Sequence, residues 1–223
     1  MMFKIPLLVP VFNNPTYLSN FIDQFLSFES IHLKILDNGS DYIPMINLLN
    51  RLETKNIEII RFNKNLGPHF AIKSGPFFDS LPQIFCLSDP DIEISKNLPS
   101  DFCQILIRIS NKYEIGKVGL ALEVPEEKEF LELNVKLDGE IRNMREWEMQ
   151  FWKNKQNDNE FEDSIYLNSL DTQFALYNKK FFKTSDRYSA IRVGGRFTSK
   201  HLGLYKNQIV PKEEIEYYRN KSK

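Results

Sequence analysis

Apolar runs and helical stripes alternate along the first hundred residues of this chain. Ile5 to Phe12 is a short apolar run, the pattern of a strand buried on both faces. Asn13-Asn14-Pro15 follows and predicts a helix start, with asparagine as N-cap and proline at the first helical position. Leu18, Phe21, Ile22, Phe25 and Leu26 then fall on one stripe at helical spacing. A second apolar run, Ile31 to Leu36, halts at Asp37-Asn38-Gly39-Ser40, a strong turn signal. Ile43, Ile46, Leu49 and Leu52 predict a second helix, and Ile57 to Phe62 a third strand. Ala71 to Phe78 reads as a short helix, and Gln83 to Leu87 as a fourth strand running into Asp89-Pro90-Asp91.

Strands alternating with helices imply right-handed crossovers and an α/β fold with a mostly parallel central sheet flanked by helices. Such sheets bind ligands beyond the carboxyl ends of their strands. The turns after strands one, two and four should therefore share an edge, with Phe12, Asp37 and Asp89 in one crevice. From residue 96 onward the alternation weakens. A helix from Pro99 to Tyr113 and a strand from Val118 to Val124 are predicted, then a polar stretch from Pro125 to Asn159 broken by Trp147, Phe151 and Trp152. Apolar runs at Ile165 to Leu170 and Phe174 to Tyr177 and a charged helix from Lys212 close the chain. No linker separates the halves, so residues 1–223 are expected to form one domain with halves 1–95 and 96–223.

Charge narrows the partners. Lys and Arg total 29 against 30 Asp and Glu, a formal net charge of −1. A duplex nucleic-acid binder needs a basic surplus, so no nucleic-acid partner is expected. Cys86 and Cys103 lie in different predicted elements and outside any CxxC spacing, which points away from zinc and disulfides and towards a reducing compartment. Pro6, Pro10 and the lack of a cleavage site argue against a signal peptide, and no run approaches the ~20 apolar residues of a membrane span. The expectation is a soluble cytoplasmic protein, with contact to a membrane-bound acceptor at the inner membrane face left open. The charged closing helix fits either a homodimer contact or a solvated surface.

Asp89 and Asp91, two carboxylates at i, i+2 on a proline-stiffened turn, suit a hard divalent cation such as Mn²⁺ or Mg²⁺, which takes oxygen ligands. Alone the motif is weak, since a solvated strand-capping turn has the same composition. Asp37 reads either as an Asx-turn or as a carboxylate accepting from a base or ribose. Lys73 suits a diphosphate or plain surface. Asp171, after the run Ile165 to Leu170, is a candidate general base or a strand-terminal turn. His201, beyond Gly194-Gly195, suits a metal shell as a neutral imidazole or is an ordinary surface histidine. Trp147, Phe151 and Trp152 suit a sugar-stacking platform, and the i, i+4 spacing of the first two suits core packing equally.

Four segments in register across the first ~100 residues, Val9-Pro10-Val11-Phe12-Asn13, Leu36-Asp37-Asn38-Gly39-Ser40, Asn63-Lys64-Asn65-Leu66-Gly67 and Asp89-Pro90-Asp91, resemble the family 2 glycosyltransferases. The resemblance implies a GT-A (Rossmann-like) fold, with residues 1–95 as the nucleotide-sugar-binding half and 96–223 as the acceptor-binding half. It also implies an inverting transfer from a nucleoside-diphosphate sugar, with a UDP-sugar the first choice, to a glycan or lipid-linked saccharide in bacterial surface polysaccharide synthesis. By position Pro10 and Phe12 line the base pocket, Asp37 contacts the base, Lys73 lies near the phosphates, Asp89 meets ribose or metal, and Asp91 binds the metal. His201 fits the order of a late metal-binding histidine. Where the family carries a Glu-Asp pair for its base, this chain has Leu170-Asp171-Thr172. Two other readings stand beside this one: a degenerate GT-A domain that binds nucleotide-sugar or scaffolds an assembly, and a sugar nucleotidyltransferase. The latter needs a glycine- and base-rich loop after strand one, where this chain has Phe12-Asn13-Asn14-Pro15.

Overall fold

The computed structural model describes residues 4–55, 57–137, 139–186 and 188–221. The chain up to Asp91, together with the residues from Ile209 onward, builds one compact unit, and Ile92 to Gln208 build a second.

The first unit opens with β1 (Ile5–Val11), α1 (Pro15–Phe25), β2 (Ile31–Asp37), α2 (Ile43–Glu53), β3 (Glu58–Arg61), α3 (Pro76–Ser80) and β4 (Ile84–Leu87). The expected βα alternation is present. Its strands lie in the order β3-β2-β1-β4, all parallel, with Val11 opposite Asp37, Asp37 opposite Arg61, and Leu8 opposite Leu87. β1 is central, and Leu7, Leu8, Val9 and Val11 are buried on both of its faces, which is why it reads as an unbroken apolar run. Leu18, Phe21, Ile22 and Phe25 form the buried stripe of α1, and Met45, Leu48, Leu49 and Leu52 that of α2. Each such side chain withdrawn from water contributes roughly 1.5–3 kcal/mol.

One expected element is corrected. Ala71 to Phe78 is not a single helix: a 3₁₀ turn at Phe70–Ile72 is followed, after a break, by α3. Gly75 sits at φ +149, a conformation that favours glycine. Pro76 then opens α3, and a proline disfavours helical backbone in the residue before it.

The second unit contains β5 (Ile92–Glu93), α4 (Phe102–Tyr113), β6 (Lys117–Leu120), β7 (Asn134–Leu137), β8 (Glu140–Asn143), α5 (Met144–Met149), β9 (Lys155–Gln156), β10 (Ile165–Leu167), β11 (Ala175–Asn178), β12 (Ile191–Val193) and β13 (Lys200–His201). Five of its strands run in the order β11-β6-β12-β10-β9; β12 is parallel to β6, and the other three pairings are antiparallel. α4 packs on β6 and β11, with Phe102 edge-on to Phe174 at 5.6 Å. It starts three residues later than expected, because Phe102 N–H closes a turn onto the Pro99 carbonyl at 3.1 Å. The strand expected from Val118 to Val124 is likewise shorter, and beyond Leu120 only Leu122 bridges, to Ser199. The chain then returns as α6 (Lys212–Lys221) to the first unit, although the sequence pattern placed it in the second half.

Candidate functional site

The loops after β1 and β2 are tied together by Asn13. Its backbone is left-handed, φ 53, which asparagine tolerates better than most residues. Its side chain is fully buried. Oδ1 accepts from Asp41 N–H and Tyr42 N–H, both at 2.9 Å, and Nδ2 donates to Asp41 Oδ1 at 2.8 Å. Its backbone N–H donates to Ser40 Oγ at 3.0 Å. Asp37, 3% exposed, accepts Ser40 N–H at 3.0 Å and so forms the turn that supports this contact. Gly39, at φ +75, lies against the loop after β3: a Cβ there would meet Lys64 N at 3.0 Å. The Asn-rich segments are thus structural partners at one sheet edge.

Between these loops, at the carboxyl ends of β1, β2 and β4, lies a crevice of about 210 Å³. Its lining includes Pro10, Val11 and Phe12 from the end of β1, Asn38 after β2, Asn65 and Pro68 after β3, and Asp89-Pro90-Asp91 after β4. Ser88 fixes the acidic turn, its N–H donating to Leu8 O at 3.0 Å and its hydroxyl to Asp89 O at 2.9 Å. Two carboxylates therefore share a wall on which there is no lysine or arginine among the described residues. The charge of Asp91 reaches Tyr17, whose hydroxyl is pushed up first by burial and then by Asp91 and Glu214.

Two further lining residues, Asn14 and Tyr218, were not expected at a site from the sequence. Asn14 is the N-cap of α1, as expected, but its side chain makes no capping bond. Its Oδ1 is buried with no hydrogen-bond partner among the described residues. The cap comes instead from α6: Glu214 accepts Thr16 N–H at 3.2 Å and Thr16 Oγ1–H at 2.7 Å. A carboxylate is well placed at a helix N-terminus, where backbone N–H groups are unsatisfied. Burial raises the pKa of Glu214, and the Thr16 bonds oppose that rise. α6 is also held by Tyr217 and Lys221, both bonded to Asp41. Docked in this way, it presents Tyr218 as a wall of the crevice, with its ring 6.4 Å from that of Phe12 at 62°.

Of the residues expected at a site, the crevice thus gathers Pro10, Phe12, Asp89 and Asp91. Asp37 lies beneath it as a turn former. Lys73 is exposed at the end of the Phe70–Ile72 turn and is not one of the lining residues.

The other two expected residues belong to the second unit. Asp171 is exposed on the loop between β10 and β11, and that loop is held from below by buried cations. Lys117 Nζ, 1% exposed at its residue, donates to Leu170 O at 2.5 Å and Asp171 O at 2.7 Å. Arg192 Nε donates to Ser169 O at 2.6 Å, while its Nη1 meets Glu148 at 2.9 Å. Burial draws the Arg192 pKa down, and Glu148 and then Asp171 counter it. His201 is half-buried in β13, opposite Ile92, the residue that follows Asp91 in the chain. Phe151 is buried beneath Arg192, 3.9 Å from ring centre to guanidinium. It meets Trp147 edge-on at 5.5 Å, so this part of the aromatic cluster is packing.

Among the described residues, no group of three or more His, Cys, Asp or Glu side chains comes together to hold a metal ion. The acidic turn still fits one. Mg²⁺ and similar cations are commonly held by one or two carboxylates and completed by substrate phosphates and water. No helix among the described residues is long and apolar enough to cross a membrane.

The fold is that of an α/β protein with a crevice at the carboxyl edge of its parallel strands, where such sheets bind ligands. No protein-family model matches the sequence, and no curated protein sequence matches it. Among solved structures, the fold is similar to that of the mannosyltransferase PcManGT from Pyrobaculum calidifontis, determined in complex with GDP-Man and Mn²⁺. The TM-score is 0.54 and the identity 11%, over 97% of this chain and 59% of that one. S. aureus TarS 1-349 in complex with UDP is matched at TM-score 0.47 and 11% identity, over 83% of this chain and 49% of that one. At such identity the likeness is one of fold, and this chain spans about three-fifths of the mannosyltransferase.

Proposed function

We propose that this chain is an inverting glycosyltransferase that binds a nucleoside-diphosphate sugar in the crevice of its first unit with the help of Mn²⁺ or Mg²⁺. The observation that carries the reading is the pairing of Asp89 and Asp91 on a crevice wall that offers no cationic side chain. Two like charges there repel a diphosphate, whereas a divalent cation between carboxylates and phosphates reverses the sign of the interaction. The metal, when bound, supplies charge neutralisation for the leaving diphosphate. The fold shared with a GDP-Man-bound, Mn²⁺-bound mannosyltransferase supports the same reading.

Asp91 is assigned to the metal and Asp89 to the metal or ribose. Pro10 and Phe12 face the base. Asp37 shapes the turn beneath them, and Lys73 has no part in this reading. In the second unit Asp171 is assigned as general base: its carboxylate takes the proton of the acceptor hydroxyl. The acceptor oxygen then bonds to the anomeric carbon as the bond from that carbon to the diphosphate oxygen breaks, which inverts the centre. His201 is assigned as a further metal ligand. The donor is a UDP-sugar, with GDP- and dTDP-sugars as the competitors, and the acceptor is a glycan or lipid-linked saccharide of surface polysaccharide synthesis.

The test is a donor panel of UDP-, GDP- and dTDP-sugars assayed for nucleotide release, with Mn²⁺ and with EDTA. Release that depends on metal and on one nucleotide supports the enzyme. Metal-dependent UDP or GDP binding with no release from any donor would leave a catalytically degenerate nucleotide-sugar-binding domain.

A further inference from the structure

Resting on the reading of the crevice as a donor site, we propose that Tyr218 on α6 is a nucleobase-contacting residue, so that α6 forms the base-recognising wall of that site. Three observations converge on it. Tyr218 lines the crevice although it lies 206 residues beyond Phe12. It is 43% exposed, a large aromatic side chain among the lining residues of a largely polar crevice. Its ring and that of Phe12 stand at 62° with centres 6.4 Å apart, two aromatic surfaces forming a corner.

A planar base is the part of a nucleoside diphosphate that suits this corner. Its π-face packs on an aromatic ring whatever its hydrogen-bonding pattern. The diphosphate belongs with the acidic turn and its cation, which leaves the aromatic pair Phe12 and Tyr218 to the base. Asn14 adds a polar residue to the lining of the same crevice.

The position of Tyr218 is set by contacts outside the crevice. Glu214 is bonded to Thr16, and Tyr217 and Lys221 are bonded to Asp41, so three residues of α6 dock the helix while the fourth faces the ligand. This division of labour makes the proposal testable, because the docking residues and the contacting residue can be changed separately.

The experiment titrates the full chain, with Mn²⁺ present, against UDP, GDP and dTDP and against inorganic pyrophosphate, which has no base. Tyr218→Ala is expected to weaken the preferred nucleotide roughly tenfold or more, the range typical of removing one base-stacking aromatic, and to leave pyrophosphate affinity unchanged. Tyr218→Phe keeps the ring and should retain wild-type nucleotide affinity. Tyr217→Ala, which alters docking only, should affect melting temperature more than the ratio of nucleotide to pyrophosphate affinity. Unchanged nucleotide binding in Tyr218→Ala overturns the role of Tyr218 while the donor site stands. An equal loss of nucleotide and pyrophosphate binding also overturns it, since that is the signature of a distorted crevice. If the wild-type chain binds none of the three nucleotides, the donor-site reading fails and takes this inference with it.

Discussion

Lys117 Nζ lies 2.7 Å from the main-chain oxygen of Asp171, reaching it from a position that is 1% exposed. The same ammonium holds Leu170 O, and Arg192 holds Ser169 O, so three consecutive carbonyls rest on two buried cations. A loop fixed in this way presents the Asp171 side chain with little backbone freedom. Lys117→Met keeps the length of the stem and removes both bonds. It should cost about 1–3 kcal/mol of stability, the range for charged hydrogen bonds and for carbonyls left unsatisfied. Urea denaturation would measure the loss, and a wild-type midpoint would mean the carbonyls find other partners.

Asp91→Ala should remove the metal dependence of donor binding, because it takes away one of two carboxylates on the crevice wall. Calorimetric titration of UDP or GDP with Mn²⁺ and with EDTA reads this directly. Equal affinities for variant and wild type in Mn²⁺ would separate the metal from the acidic turn.

Asp171→Asn should lower kcat about 10²–10⁴-fold, the usual contribution of a positioned base, with nucleotide affinity unchanged. Full transfer activity in the variant would return this residue to the status of a loop tip.

His201→Ala should raise the Mn²⁺ concentration that gives half-maximal activity. The register of β13 with β5 is made by main-chain groups, and an alanine preserves them. An unmoved metal midpoint would assign His201 to that small sheet alone.

Acid stability has a separate origin. Asp158 accepts from Lys112 and from Tyr113, and Lys112 foremost holds its carboxyl down from 3.8 to about 2. A depressed carboxylate stabilises the fold above its unfolded value, and that contribution disappears as pH falls through its folded value. The wild type should therefore lose stability between pH of about 4 and 2 in a step that Asp158→Asn lacks. Thermal melts across that range would show it, and superimposable pH profiles would locate the acid lability elsewhere.

The sequence conveyed the first unit's βα order because buried parallel strands are apolar at every position, and β1 from Ile5 to Val11 is the extreme case. It also conveyed the sheet edge, since turn-forming Asp37-Asn38-Gly39 and Asp89-Pro90-Asp91 both end strands. The helix expected at Ala71 to Phe78 failed where local chemistry outweighed periodicity: apolar spacing continued across Gly75-Pro76, whose backbone could not. α6 was visible as an element, but its destination was not. It docks through Glu214, Tyr217 and Lys221, and a charged stripe reads as solvated unless its partners, Thr16 and Asp41, are already known to be near. Tyr218 was missed for the same reason, since a crevice wall supplied from a distant helix has no local pattern; Asn14 was read only as a helix cap. The alternation around Asn13 held a clue: an asparagine between a buried strand and a proline-initiated helix suits a left-handed linker as well as a cap.

The bond between Glu214 and Thr16 spans 198 positions of sequence. During synthesis, β1 to β4 emerge first, then the whole of Ile92 to Gln208, and only afterwards the helix that caps α1 and supplies Tyr218. Domains tend to fold as they emerge, yet the sheet half of the first unit must wait through the making of the second before its crevice has all its walls. A nascent or interrupted chain therefore carries the acidic turn without the aromatic corner, and on the proposed donor-site reading nucleotide affinity would arise only once translation has passed Tyr218.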